Sequence, residues 1–212
     1  IRKMLLDALS ISEDDIILIV DEAHNLPDYI RDSYSYQLTL FMLNNCIIEA
    51  EKYGDPLMLD GRFTVSSFCK ILIEIITEIR DTYVYGILEN GIRTSGVKKS
   101  DAFIPSHEFE TEILGRLKIT SKTLHDIIGD LIAYGEKIQE YRQKEGKLPR
   151  SLLHSLGVFL DFWMSLEMEQ YVKLIVDAGG GNNPCVEAYC LDPSLGTEIL
   201  NCFHSTIHMS GT

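Results

Sequence analysis

The sequence predicts an α/β frame interrupted by a large, mostly helical insertion, and three observations carry that expectation. Five branched apolar residues, Ile16 to Val20, run straight into Asp21-Glu22-Ala23-His24. A second strand-like run closes the chain, from His204 through Met209 into Ser210-Gly211-Thr212. Between them lies a long stretch whose apolar residues recur at helical spacing. A short unbroken run of branched residues fits a strand buried on both faces, as in a parallel sheet. Asp21 and Glu22 then stand at the carboxyl end of that strand, where open α/β sheets bind ligands.

Each element has its own local reason. Leu5, Leu6 and Leu9 give a first helix an apolar stripe, and Ser12 to Asp15 turn the chain into the strand. Asn25 and Pro27 fit the cap and first turn of another helix. Residues 39 to 53 carry Leu40, Leu43, Ile47 and Ala50 on one side, before Gly54-Asp55-Pro56 breaks the pattern. Residues 64 to 85, 121 to 142 and 150 to 169 repeat the stripe. Such helices bury their stripes against one another as a bundle, and packing accounts for Trp163 and the tyrosines. Residues 86 to 110, with Gly86, Gly91, Gly96 and Pro105, read as a mobile loop. Tyr171 to Asp177 and Cys185 to Leu191 read as a β-hairpin around Gly179 to Pro184. No lysine follows these glycines and a strand comes next, so the turn is preferred to a phosphate loop. A short helix over 194 to 203 and a strand over 204 to 209 complete the chain.

Bulk properties narrow the class. The chain has 212 residues, 45% of them apolar and 24% charged, as in a soluble globular protein able to bury a core. No run approaches a membrane span, and no signal peptide opens the sequence. Five scattered cysteines (Cys46, Cys69, Cys185, Cys190 and Cys202) read as reduced, buried small hydrophobes of an intracellular protein. A formal charge of −13 runs against a dedicated nucleic-acid-binding domain, although a motor can line a narrow channel with cations while the rest stays acidic.

The chemistry sits at the two ends. Paired carboxylates at a strand end suit nucleotide hydrolysis, one holding magnesium and the other orienting and deprotonating water. Taken alone, Asp21 and Glu22 fit a solvated strand end or helix cap equally well, and His24 alone is an ordinary half-buried histidine. Asp21-Glu22-Ala23-His24 together with Met209-Ser210-Gly211-Thr212 resembles motifs II and III of superfamily 2 helicases. The long segment between them, with Ala188 to Ser194 leading into the last helix, resembles the XPD family (xeroderma pigmentosum group D helicases and DinG-like relatives). The resemblance spans the chain, with its specific motifs at the ends.

The resemblance implies a RecA-like motor domain in residues 1 to 34 and 171 to 212, with a helical Arch domain over 35 to 170. It implies an ATP-dependent DNA helicase working 5′ to 3′ in DNA repair, nucleotide excision repair included, inside the cell: nuclear, or nucleoid-associated in a prokaryote. Asp21 would hold Mg²⁺ through a water and Glu22 would act as the base. His24 would relay nucleotide state to Ser210, Gly211 and Thr212. The phosphate-binding pattern G-x-x-x-x-G-K-[ST] is absent from these residues. We read the chain as a piece of a longer polypeptide, inactive toward ATP by itself. The ligands of the family's 4Fe-4S cluster would lie outside it.

Single-stranded DNA is the expected partner. Arg93, Lys98 and Lys99 in the loop are its candidate contacts, since few acids neighbour them. The cations Lys137, Arg142, Lys144, Lys147 and Arg150 read instead as a solvated helix end with favourable dipole pairing. A different class is also open: a helical module whose acidic surface docks repair or transcription-factor proteins.

Overall fold

The computed structural model describes residues 6, 9–86, 101–166, 169–177 and 183–211. They divide into two compact units, Ile1–Ser35 with Tyr189–Thr212, and Tyr36–Ala188. The helix expected around Leu5, Leu6 and Leu9 falls largely outside the described residues.

The smaller unit is built on β1 (Ile17–Val20) and the last strand, β8 (Ser205–His208), which pair in parallel with Ile17 opposite Ser205 and Val20 opposite His208. Entry into β1 is set by Ser12, whose N–H and hydroxyl both donate to Asp15 Oδ2 at 3.0 Å. Helix α1 (Leu26–Tyr34) follows, with Pro27 in its first turn, where a missing N–H loses nothing. Its Ile30 meets a short helix, Ser194–Thr197, at a glycine: a Cβ on Gly196 would lie 2.5 Å from Ile30 Cγ2. One sequence expectation fails here. β1 is not buried on both faces, because the described sheet has only two strands and leaves Ile17 57% and Ile19 58% exposed.

The larger unit combines a helical bundle with a four-stranded sheet. The chain runs through β2 (Tyr36–Thr39), α2 (Leu40–Tyr53), the small hairpin β3 (Leu57–Met58) and β4 (Phe63–Thr64), and α3 (Val65–Tyr83). β5 (Asp101–Phe103), α4 (Glu108–Leu117), α5 (Ser121–Lys144), α6 (Leu152–Ser165), β6 (Tyr171–Val176) and β7 (Cys185–Cys190) follow. The four long helices all start on a hydroxyl residue. Thr39, Thr64, Thr120 and Ser151 accept from the N–H groups of Met42, Ser67, Thr123 and His154, each satisfying an otherwise orphaned donor. α2 ends where Gly54 adopts φ 107° and its N–H closes on Ala50 C=O, a conformation glycine takes without strain.

Two carboxylates, the buried Glu49 and the half-buried Asp55, tie these starts to the core. Glu49 of α2 accepts from Ser151 Oγ and from Leu153 N–H, both at 2.9 Å. Asp55 accepts from Ser66 N–H at 2.8 Å and from Ser66 Oγ at 2.6 Å. Burial alone would raise the Asp55 carboxyl, but the Ser66 hydrogen bonds outweigh it and hold the group below its ordinary value. Helices α5 and α6 meet through Gly135 and Gly157: a Cβ on Gly135 would lie 2.4 Å from His154 N, and one on Gly157 2.6 Å from Ile132 Cγ1. Trp163 is buried among Phe109, Phe159 and the Lys173 ammonium, which lies 4.7 Å from its ring centre.

Two further expectations, on residues 86 to 110 and on Cys202, need correction. The sheet runs β2-β7-β6-β5, with β2 antiparallel to β7 and β5 antiparallel to β6. Strands β6 and most of β7 pack with the helices in the larger compact unit. The stretch 86 to 110 is not loop throughout, since β5 and the start of α4 lie within it; strands of three residues leave no readable alternation. Cys46, Cys69, Cys185 and Cys190 are buried as expected, but Cys202 is exposed.

Candidate active site

Beyond Val20 the chain must turn. Glu22 does so in the left-handed region, at φ 50° and ψ 45°, where a residue with a side chain is uncommon. The turn opens a 3₁₀ segment, Ala23–Asn25, that runs into α1. Two backbone bonds bracket it. Met209 N–H donates to Val20 C=O at 2.9 Å, and Ala23 N–H donates to Met209 C=O at 2.8 Å. The parallel ladder thus continues past both strand ends and sets Ser210 beside the Asp21–His24 turn.

Side chains converge on that turn. His24 Nδ1 and Ser210 Oγ are hydrogen-bonded at 2.9 Å. The same nitrogen lies 3.2 Å from Glu22 Oε2, with both side chains about half exposed. A carboxylate can only accept, so the Nδ1–H tautomer is the one that satisfies Glu22. Gly211 borders the same carboxylate: a Cβ there would lie 3.6 Å from Glu22 Oε1. Asp21 is exposed, and its Oδ1 accepts from Glu22 N–H at 2.9 Å, leaving Oδ2 for a ligand.

Asp21, Glu22, His24, Ser210 and Gly211 therefore meet, although 186 positions separate His24 from Ser210. Thr212 lies outside the described residues, as do Arg93, Lys98 and Lys99 of the loop. Among the described residues no group of three or more His, Cys, Asp or Glu is arranged to hold a metal ion. Magnesium needs no such cage, because it retains waters and takes one or two carboxylates together with substrate phosphates. The exposed Asp21 and Glu22 oxygens fit that pattern. No described helix is long and apolar enough to cross a membrane. Sequence reasoning did not foresee the Met209 backbone bracket or the left-handed Glu22. A strand-like run at each end of the chain was their one advance sign.

A DEAH turn is hydrogen-bonded to a Ser-Gly segment across parallel strands, with a long helical and β insertion between them in sequence, an arrangement that resembles XPD-like superfamily 2 proteins. The model of the helical and beta-bridge domain family matches residues 63–212, and that named DEAD_2 matches residues 1–43. The chain belongs to the helical and beta-bridge domain family. It is 28% identical over 153 residues to the ATP-dependent DNA helicase CHL1 of Candida glabrata, covering 68% of this chain and 17% of that protein. The chain thus spans about a sixth of the length of that relative.

Proposed function

We propose that the full-length protein is an ATP-dependent DNA helicase that moves 5′ to 3′ along single-stranded DNA, in DNA repair. In this reading the smaller unit is part of a RecA-like motor domain and the larger is its Arch. The observation that carries it is the His24–Ser210 hydrogen bond between the ends of β1 and β8. It couples a hydrolytic turn to a second strand end, as a motor requires. A helix cap or solvated strand end has no use for a partner so distant in sequence.

Each residue then has a task. Asp21 would hold Mg²⁺ through a water, with Oδ1 oriented by the Glu22 N–H. The ion would supply charge neutralisation at the β- and γ-phosphates. Glu22 accepts the proton of the attacking water, and its left-handed backbone holds the carboxylate beside His24 and Gly211. His24 shares one N–H between Glu22 and Ser210, so a change at the γ-phosphate shifts that sharing and moves the β8 end. The phosphate cradle and the iron–sulfur ligands would be supplied by other parts of the protein.

The test is coupling. In the full-length protein, single-stranded DNA should stimulate ATP turnover. Ser210→Ala should keep nucleotide binding while lowering the number of base pairs unwound per ATP. A protein whose turnover ignores DNA, or an alanine variant with parental coupling, would refute the motor reading. The first of these outcomes would favour an acidic docking module.

A further inference from the structure

The helical unit gathers cations at one end of its bundle. The acidic chain, at −13, gathers cations where α5 ends: Arg142, Lys144, Lys147 and Arg150 within nine positions. Read as sequence, these are cations suited to a helix C-terminus. The fold adds a second element, because the end of α2 packs here. Tyr53 meets Tyr141 edge-on, with ring centres 5.8 Å apart, and Lys52 Nζ lies 5.3 Å from the Tyr53 ring centre. These five cations stand with Glu136, Glu140 and Glu145 on the same stretch of chain and Glu51 and Asp55 beside Lys52 in sequence. One of these is already engaged: Lys147 Nζ donates to Glu145 at 2.8 Å. That bond holds the Glu145 carboxyl below its ordinary range and raises the Lys147 ammonium above its own.

Helix capping does not use this set up. The last α5 carbonyls are closed by the N–H groups of Glu145, Gly146 and Lys147, and Arg142 Nε donates to Leu148 C=O at 3.1 Å. Lys52, Lys144 and Arg150 are exposed; Lys52 lies over the Tyr53 ring and within electrostatic range of Glu145. Tyr141 is 52% exposed and Leu148 66%, so aromatic and apolar surface stands among these cations. Cations that follow a backbone, with an aromatic face among them, are what single-stranded nucleic acid requires. A duplex would use the charges and leave the ring idle, and an acidic peptide would do the same.

We infer that the α5 end, with Lys52 and Tyr53 of α2, is a contact site for single-stranded nucleic acid. Lys52, Lys144 and Arg150 engage phosphates and Tyr141 stacks a base. This rests on the helicase reading, and it places a strand contact on the bundle itself rather than on the motor turn.

The experiment uses the full-length protein and a fluorescent thirty-nucleotide oligothymidylate, with anisotropy titrations at a series of salt concentrations. Losing three phosphate contacts should flatten the plot of log affinity against log salt by about 2, at about 0.7 per contact on single strands. Between 50 and 200 mM salt the parent should therefore weaken about 20-fold more than the Lys52→Gln, Lys144→Gln, Arg150→Gln triple variant. Tyr141→Leu should lower affinity at least about fivefold with the slope unchanged. Basal ATP turnover should be parental in every variant, and unfolding midpoints should show that each folds. Parental affinity and slope in all variants, with strand-stimulated turnover intact in the parent, would overturn this inference and leave the motor reading standing. A parent that does not bind the strand would overturn both. Competition by poly-glutamate as effective as by unlabelled oligothymidylate would also overturn it, pointing to an acidic protein partner.

Discussion

Two glycine-to-alanine changes in the same helix should have opposite signs. Gly129 and Gly135 both lie inside α5. An alanine gains about 0.8–1.0 kcal/mol of helix propensity at an interior position. At Gly129 nothing lies within 4 Å of an added Cβ, so the gain is kept and Gly129→Ala should stabilise by about 1 kcal/mol. At Gly135 the same Cβ would stand 2.4, 2.5 and 2.6 Å from N, Cα and Cβ of His154. Two of these are backbone atoms in the first turn of α6, so no rotamer change relieves them. The helices must separate, and overpacking costs about 1–3 kcal/mol. Taking the upper end and subtracting the propensity gain leaves Gly135→Ala about 2 kcal/mol less stable. Trp163 is the only tryptophan and is buried in α6, so its fluorescence during urea denaturation reports the helical unit. The two variants should differ by about 3 kcal/mol in that assay. A Gly135→Ala protein as stable as the parent would refute the close α5–α6 approach.

Other consequences follow from the same packing. Glu49→Ala strands Ser151 Oγ and Leu153 N–H in the core and should cost about 3 kcal/mol or more, at about 1.5–3 per bond to a charged group; Glu49→Gln, which keeps an acceptor, should recover part of it by the same readout. Asp55 has a folded pKa below its ordinary 3.8, so its contribution is present above that value and lost as pH falls through the lower folded pKa. Urea midpoints taken downward from pH 4 should drop less steeply for Asp55→Asn than for the parent. Gly211→Val should crowd the Glu22 carboxylate, since a Cβ alone would already be in van der Waals contact with Oε1 at 3.6 Å and valine adds two methyl groups beyond it. In the full-length protein it should slow ATP turnover at least tenfold while leaving the Trp163 unfolding midpoint unchanged.

How much of this was legible depended on pattern length. The long helices announced themselves through sustained stripes such as Leu124, Ile127, Leu131 and Ile138, and the structure buries each of these residues. Strand β5 has three residues and β3 two, too few for any alternation to register. The hairpin of β6 and β7 was readable, but its partners β2 and β5 lie far away in sequence, so the four-stranded sheet was not. At the site, residue types were readable from Asp21 to His24, because the chemistry dictates carboxylates after an apolar run. Their arrangement was not. The left-handed Glu22 and the bond from Ala23 to Met209 arise only when two chain ends pair. Likewise Lys52 and Tyr53 gain meaning only once α2 ends beside Tyr141.

Glu22, held at the end of β1 beside His24 and Gly211, is proposed as the base for ATP hydrolysis. Glu22→Gln retains size and hydrogen bonding but cannot take the proton. Measured in the full-length protein with single-stranded DNA present, the variant should bind ATP with parental affinity while turnover falls by about 10²–10⁴-fold. Turnover at the parental rate would contradict the account.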